Sequence, residues 1–361
     1  MIRVLYIANQ AGNRSGTGRY TEKLLQALAQ FPDELQLTVQ WPQLIPSTLP
    51  ANVEVVGLKS RFEGGFRGMF PRARTYDLIH YPATIGGLCA TPPSVVTVHD
   101  LAFLRHPEWF RPDRLLYYRL RVNHGIQKAR RVIADSHATA NDLVELLHVK
   151  LEKIDVVPLG VDETFKPAPP EAIEALRQKL NLPQRFFLFV GTFEPRKNLP
   201  RLIEAWTRVR DDAKVDLVLA GRDGWKTAPI HEAINASRHR QHIHRLHYVP
   251  ESDLPVLYSA AEAFVWPSLF EGFGLPPLEA LACGVPVITS NTSSIPEVMR
   301  DAALLVDPCN VEALAEAMQT LSADPNCVHR AARGMLRAAE FSWARTARAT
   351  MDSYVKAASP L

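Results

Sequence analysis

Residues 268–290 read SLFEGFGLPPLEALACGVPVITS. The stretch predicts a loop, a short helix and a buried strand. Gly272 and Gly274 let the loop backbone come close to another group, and Pro276-Pro277 marks the helix start, where proline forfeits no hydrogen bond. Leu278, Leu281 and Ala282 recur at helical spacing. Gly284 stands where a helix end favours a left-handed residue, and VPVIT is an apolar run of the kind that fills a parallel sheet. Two carboxylates therefore lie eight residues apart, Glu271 in the loop and Glu279 in the first helical turn.

A helix N-terminus that the backbone approaches closely is an anion site, since unpaired N–H groups and the helix dipole both favour negative charge. Glu279 beside an anion makes sense if the ligand also carries vicinal hydroxyls, which a carboxylate accepts in pairs. A sugar nucleotide has a diphosphate, a ribose and a second polyol for Glu271. The other reading is an acidic residue that simply stabilises a first helical turn.

Upstream, GTFEPRKNLPRLIEAW places Asn198 as helix N-cap, with Leu199, Leu202, Ile203 and Trp206 as the apolar stripe behind it. Arg196 and Lys197 then precede a helix N-terminus, an unfavourable place for two cations unless an anion answers them. No two aspartates stand two apart, so the Asp-x-Asp pair that holds a divalent ion on a sugar diphosphate is missing. Arg196 and Lys197 are the groups left to offset charge on a departing nucleotide, and activity without metal is expected.

The first half alternates strands and helices. IRVLYIA is a buried strand, followed by a glycine-bearing loop with Gly16-Thr17-Gly18 and a helix from about Arg19 to Gln30. The third glycine of G-x-G-x-x-G is absent. Further strands read at VEVVGL, YDLIHY, SVVTVHD and RVIADS, with helices around Pro112 to Lys128 and Ala138 to Leu147. His99 ends the SVVTV strand, and open parallel sheets bind ligands at such ends; a surface or capping histidine is the alternative. Four prolines between Pro158 and Pro170 suit an interdomain linker, after which a second alternating series begins with a helix near Glu171 to Leu180, followed by the strand FFLFVG.

Glu271 and Glu279 resemble the E-x7-E motif of retaining glycosyltransferases of GT-B architecture. FEGFGLPPLEALACGVPVI, VGTFEPRKNL and TVHD are similar to motifs of family 4 in that family's order. The resemblance implies an α/β protein with two Rossmann-like domains and a cleft between them: 1–165 for the acceptor, 166–341 for the nucleotide-sugar donor, and 342–361 as a helix crossing back to the first domain. It implies that Glu279 holds ribose, that Glu271 contacts the donor sugar, and that Arg196 with Lys197 holds the diphosphate. Gly272, Phe273, Gly274 and Leu275 would line the donor, Gly16 and Gly18 would lie under its phosphates, and His99 would help stabilise the reacting sugar. Transfer with retention, by a front-face reaction and with no cofactor or metal, follows from the same resemblance. GTFEPRKN and HDLAFLRHPEWF look most like bacterial mannosyl- and rhamnosyltransferases of surface polysaccharide assembly, so GDP-mannose is the expected donor and a glycan or lipid-linked glycan the acceptor. A dTDP- or UDP-sugar is the alternative donor. A sugar-nucleotide epimerase or hydrolase, or a non-catalytic sugar-nucleotide binder, is the alternative class. Relatives acting on mannose-containing lipids carry arginine where this chain has Thr192, which puts one phosphate contact in doubt.

Bulk properties fit that reading. The 361 residues are 47% hydrophobic and 22% charged, enough for two cores, and a net charge of +3 implies no nucleic-acid partner. Cys89, Cys283, Cys309 and Cys327 are widely spaced, which points away from a disulfide scaffold or zinc site and fits a reducing cytoplasm. Neither a signal peptide nor an apolar run of about 18 residues is expected from MIRVLYIAN or the rest. Between Lys59 and Arg131 thirteen Lys or Arg face five Asp or Glu, partly within RFEGGFRGMFPRAR. Such a surface suits a phosphorylated acceptor or peripheral contact with anionic lipid at the inner face of the cell membrane, or is a solvated basic face. SRHRQHIHRLHYV brings His239, His242, His244 and His247 together, but the interleaved Arg238, Arg240 and Arg245 oppose a metal and favour an exposed helix end running into a strand.

Overall fold

The computed structural model describes residues 1–13, 16–41, 49–57, 76–87, 92–323 and 327–359. Two compact units result, one from Met1–Gly160 with Ser342–Leu361 and one from Val161–Phe341.

In the first unit the apolar runs become strands β1 (Ile2–Ile7), β2 (Leu35–Trp41), β3 (Glu54–Gly57), β4 (Leu78–Tyr81), β5 (Ser94–Val98), β6 (Arg131–Ala134) and β7 (Ile154–Val156). They form one parallel sheet in the order β3-β2-β1-β4-β5-β6-β7, with Val4 of β1 in register with Leu37 on one side and Leu78 on the other. Every residue of β5 is buried, as expected for a strand covered on both faces. The order reverses between β1 and β4, the switch point outside which such sheets bind ligands.

The Trp343–Ala358 helix belongs to this unit. Ser342 caps it by accepting the amide of Arg345 at 3.3 Å, and Thr346 Oγ1 donates to Pro158 O at 2.8 Å. It packs on the Gly16–Leu28 helix and over β1, β4, β5 and β6.

The second unit holds β8 (Phe186–Val190), β9 (Asp216–Ala220), β10 (Ile243–Leu246), β11 (Ala263–Trp266), β12 (Val287–Ser290) and β13 (Leu304–Val306), parallel in the order β10-β9-β8-β11-β12-β13. Its switch point lies between β8 and β11. Phe186 to Phe189 are fully buried, and Leu202, Ile203 and Trp206 of the Leu199–Ala213 helix pack inward. The Trp206 indole N–H, which burial would otherwise orphan, donates to Val215 O at 2.9 Å.

Several boundaries differ from the sequence reading. The first helix starts at Gly16, earlier than Arg19. Strands β2 and β7 and the Cys327–Ala338 helix are additional. β2 escapes a search for apolar runs because it carries Gln36, Thr38 and Gln40, two of them buried; Thr38 Oγ1 donates to Glu54 Oε2 at 3.1 Å. The division between units falls after Gly160 instead of at 165/166. Phe165 lies edge-on against Tyr258 with ring centroids 6.0 Å apart, and Ala168 N donates to Ser259 Oγ at 3.0 Å, so the part of the proline-rich segment that follows Gly160 belongs to the second unit. RFEGGFRGMFPRAR lies outside the described residues. Among the described residues no helix is long and apolar enough to cross a membrane.

Candidate active site

The loops after β8 and β11 meet at the switch point of the second unit. Pro195–Lys197 forms a single 3-10 turn, and the amide of Leu269 in the opposite loop donates to Arg196 O at 2.7 Å. That contact brings three of the expected catalytic residues together. Lys197 Nζ donates to Glu271 Oε1 at 2.5 Å, and Arg196 Nη1 donates to Glu271 Oε2 at 2.9 Å. Arg196 Nε donates to Glu194 Oε1 at 2.5 Å, and Ser268 Oγ donates to Glu271 Oε1 at 2.5 Å. The Lys197 ammonium also sits 4.2 Å from the centroid of the buried Trp266 ring. Two carboxylates thus face two cations, and the cluster is neutral as a whole.

Burial disfavours the charge on Glu271, but the charges of Arg196 and then Lys197, with the Lys197 hydrogen bond, more than offset it and hold the carboxyl below its usual range. Burial, followed by the Arg196 charge, lowers the Lys197 ammonium. The two cations differ in access: the Arg196 side chain is 21% exposed and that of Lys197 8%. The anion that the cation pair at a helix N-terminus called for is therefore supplied by the protein itself.

Gly274 adopts φ +100°, and a Cβ there would come within 2.6 Å of Ile295 Cδ1, so the loop shape requires glycine. Gly272, Phe273 and Leu275 are buried beside it, with the Phe273 ring edge-on to Phe341 at 5.7 Å. Ser293 and Ser294 clamp the loop: the Glu271 amide donates to Ser293 Oγ at 2.9 Å, and Ser294 Oγ donates to Glu271 O at 2.9 Å.

Two expectations are corrected here. The helix runs Leu275–Ala282, so Glu279 is in its second turn and does not serve the first-turn dipole; it is buried and accepts from Tyr258 Oη at 3.1 Å. Asn198 occupies the N-cap position at φ 60° but makes no side-chain cap. Its Nδ2 instead donates to Pro267 O at 3.1 Å and Pro308 O at 2.7 Å, tying the Lys197 turn to the loop after β11.

Gly16, Gly18 and His99 lie in the first unit, following β1 and β5. A Cβ on Gly18 would fall 1.8 Å from Asn13 O, so the loop folded onto its own helix already demands that glycine; a Cβ on Gly16 meets nothing within 4 Å. His99 is held from both sides. Its Nδ1 lies 2.7 Å from Asp135 Oδ2, beyond the end of β6, and its Nε2 lies 3.1 Å from Pro82 O, beyond the end of β4. The Tyr20 ring stands edge-on to it at 4.7 Å.

One strand away His80 is fully buried among hydroxyls. Its Nδ1 lies 2.7 Å from Tyr354 Oη and its Nε2 2.9 Å from Thr97 Oγ1, which is 3.0 Å from Tyr20 Oη. Burial, with the His99 charge, pushes the His80 imidazole down to about 3.

The histidine-rich segment becomes a 3-10 turn leading into β10. His244 Nε2 lies 2.9 Å from Asp216 Oδ2, His242 Nδ1 lies 3.3 Å from Asp216 Oδ1, and Arg210 Nη2 lies 2.9 Å from that same oxygen.

Residue patterns had not singled out Asp135, Glu194, Ser268, Trp266 or Tyr258. For Asp135 a signal existed: a carboxylate directly after an apolar strand, RVIADS, beside the strand that delivers His99. Trp266 and Tyr258 look like core aromatics in any pattern search.

Two doubly wound parallel units are the architecture of the GT-B glycosyltransferases. A solved structure of sucrose-phosphate synthase from Thermosynechococcus elongatus has this fold, at TM-score 0.77 and 21% identity over 98% of each chain. Residues 14–165 match Glycosyltransferase Family 4, and residues 172–335 match glycosyl transferases group 1. O-antigen chain mannosyltransferase B of Escherichia coli is 34% identical over 72% of this chain and 70% of its own. The serotype-specific mannosyltransferase WbdA of Escherichia coli is 28% identical over 73% of this chain, which spans 33% of that longer protein. The chain belongs to glycosyltransferase family 4, and it is a glycosyltransferase.

Proposed function

We propose that the protein moves a mannose from GDP-mannose, with retention at the anomeric carbon and without a metal, onto a hydroxyl of a glycan or lipid-linked glycan. The observation that carries this reading is the Arg196–Lys197–Glu271 cluster at the β8/β11 switch point, in a chain similar to O-antigen mannosyltransferases. Arg196 and Lys197 supply the positive charge for a diphosphate leaving group, stabilisation aimed at where charge develops. Glu271, held anionic and in one orientation, serves as acceptor for hydroxyls of the donor sugar. Glu279, steadied by Tyr258, serves the ribose. A diphosphate entering the cluster competes with Glu194 and Glu271 for the same cationic N–H groups.

The test offers GDP-mannose, UDP-glucose and dTDP-rhamnose with a panel of mannosylated and lipid-linked acceptors, each with and without EDTA. Transfer from GDP-mannose alone, undiminished by EDTA and giving an α-anomer by NMR, is the expected result. Preference for another donor, or loss with EDTA, overturns the corresponding part.

Peripheral membrane contact is part of the proposal. In the basic Pro112–Lys128 helix Leu116 and Leu120 are 66% and 64% exposed, one turn apart and beside the exposed Arg119. Sedimentation with anionic liposomes at low salt is expected and is lost at high salt; a protein that stays in the supernatant at low salt rules it out.

A further inference from the structure

Arg196 and the two carboxylates it bonds show how the cation cluster opens to a ligand, an inference that rests on the diphosphate reading proposed above. The guanidinium is shared: Nε donates to Glu194 Oε1 at 2.5 Å, and Nη1 donates to Glu271 Oε2 at 2.9 Å and lies 3.4 Å from Phe270 O. The Arg196 side chain is 21% exposed, whereas those of Glu194, Glu271 and Lys197 are 4%, 8% and 8%. A ligand from solvent therefore meets Arg196 first, and one of the two carboxylates has to give up an N–H group to it.

Glu271 gives one up at the lower cost. Without Arg196 its carboxylate still accepts from Lys197 Nζ and Ser268 Oγ, both at 2.5 Å on Oε1. For the Glu194 carboxylate, Arg196 is the only hydrogen-bond donor among the described residues. Removing that donor leaves a buried carboxylate with neither partner nor water, the expensive way to break an ion pair. Nor is Glu194 free to follow Arg196 outward. Its carbonyl accepts the Lys197 amide at 3.0 Å, which closes the 3-10 turn, and Pro195 follows it. The preceding Phe193 is fully buried and bound on both sides, its amide donating to Arg222 O and its carbonyl accepting from Gly224 N, each at 2.9 Å. Glu194 holds the N-cap position of the turn, yet its side chain makes no cap hydrogen bond and is committed to Arg196 instead.

We propose that Glu194 is a positioning residue that keeps hold of Arg196 Nε while Nη1 is exchanged from Glu271 Oε2 to an oxygen of the incoming diphosphate. Of the two carboxylates that compete with the ligand, Glu194 stays and Glu271 yields. The exchange moves one hydrogen bond and no proton. Glu271 Oε2 is thereby released to accept a hydroxyl of the donor sugar, while Oε1 stays on Lys197 and Ser268. The step that seats the leaving group also readies the carboxylate for the sugar.

The experiment follows the Arg196 Nε–H by nitrogen-15 NMR, assigned against Arg196→Lys, in the protein alone and with inorganic pyrophosphate, GDP, UDP or dTDP. It also measures kcat and KM for Glu194→Ala and Glu194→Gln. The Nε–H is expected to exchange slowly with water in the free protein and to stay slow when a ligand binds. Glu194→Ala is expected to lower kcat by about 100-fold, the cost of a misplaced group, with a smaller change in KM; Glu194→Gln, which keeps an accepting oxygen in the same shape, recovers roughly tenfold of that. An Nε–H that becomes fast on ligand binding identifies Glu194 as the carboxylate displaced and overturns the proposal while leaving the proposed donor standing. Equal losses in the two variants overturn it as well. The wild-type ligand series decides the point even if neither variant folds. Failure of all four ligands to bind refutes the proposed donor, and the exchange with it.

Discussion

At the ends of β8 and β11 the second unit buries Glu271 against Arg196 and Lys197; at the ends of β5 and β6 the first unit buries Asp135 against His99. Both are carboxylates at the same edge of a parallel sheet, yet their partners differ in kind. Arginine and lysine ordinarily titrate far above the physiological range, so the first cluster is the less responsive to pH. Histidine titrates within it, so the second carries a pH dependence that its surroundings set. Burial makes either pair costly to break, because the carboxylate left behind is shielded from water.

The largest expected effect tests the first cluster. Lys197 and Glu271 stand in the loops after β8 and β11, yet both side chains are buried. Lys197→Ala should lower stability by about 3–5 kcal/mol, as loss of one partner of a buried ion pair does, measured by urea denaturation. A change of a few tenths would mean that solvent reaches Glu271 freely. Next, Glu271→Ala should reduce turnover by about 100- to 1,000-fold, the range for removing a group that acts on the transition state. Affinity for the nucleoside diphosphate should hold or rise in that variant, since Arg196 and Lys197 lose a competitor. A parallel fall in nucleotide affinity would show that Glu271 organises the cations instead of competing for them.

The smallest effect separates the two histidines. His99 has a raised folded value, so its stabilising contribution is complete below the unfolded value of about 6.5 and disappears as pH climbs through the folded one. His80 is depressed to about 3, so its contribution is complete above about 6.5 and declines as pH falls towards 3. Stability should peak near the unfolded histidine value and slope away on both sides, at most roughly 1.4 kcal/mol per pH unit for each group. Asp135→Asn should flatten only the alkaline side. If both slopes persist in it, the alkaline one belongs elsewhere.

Legibility in the sequence followed the length scale of the interaction. FFLFV, SVVTV and AFVW announce buried parallel strands because both faces of such a strand meet apolar neighbours. Pro276 and Gly274 announce a helix start because one lacks an N–H group and the other lacks a Cβ. β2 was not legible, since its buried Thr38 finds a partner across the sheet, Glu54, that no local pattern foretells. For Asn198 a local propensity for capping gave way to two distant carbonyls.

The sequence by itself determined the two doubly wound units, the loops that bear Arg196, Lys197 and Glu271, and the family, because these depend on period, turn chemistry and motifs a few residues long. Only the tertiary structure decided what each charge meets. Glu271 lies 74 residues from Lys197 and Asp135 lies 36 from His99. Parallel strands joined by crossover helices deliver such residues to one edge of a sheet regardless of their separation along the chain.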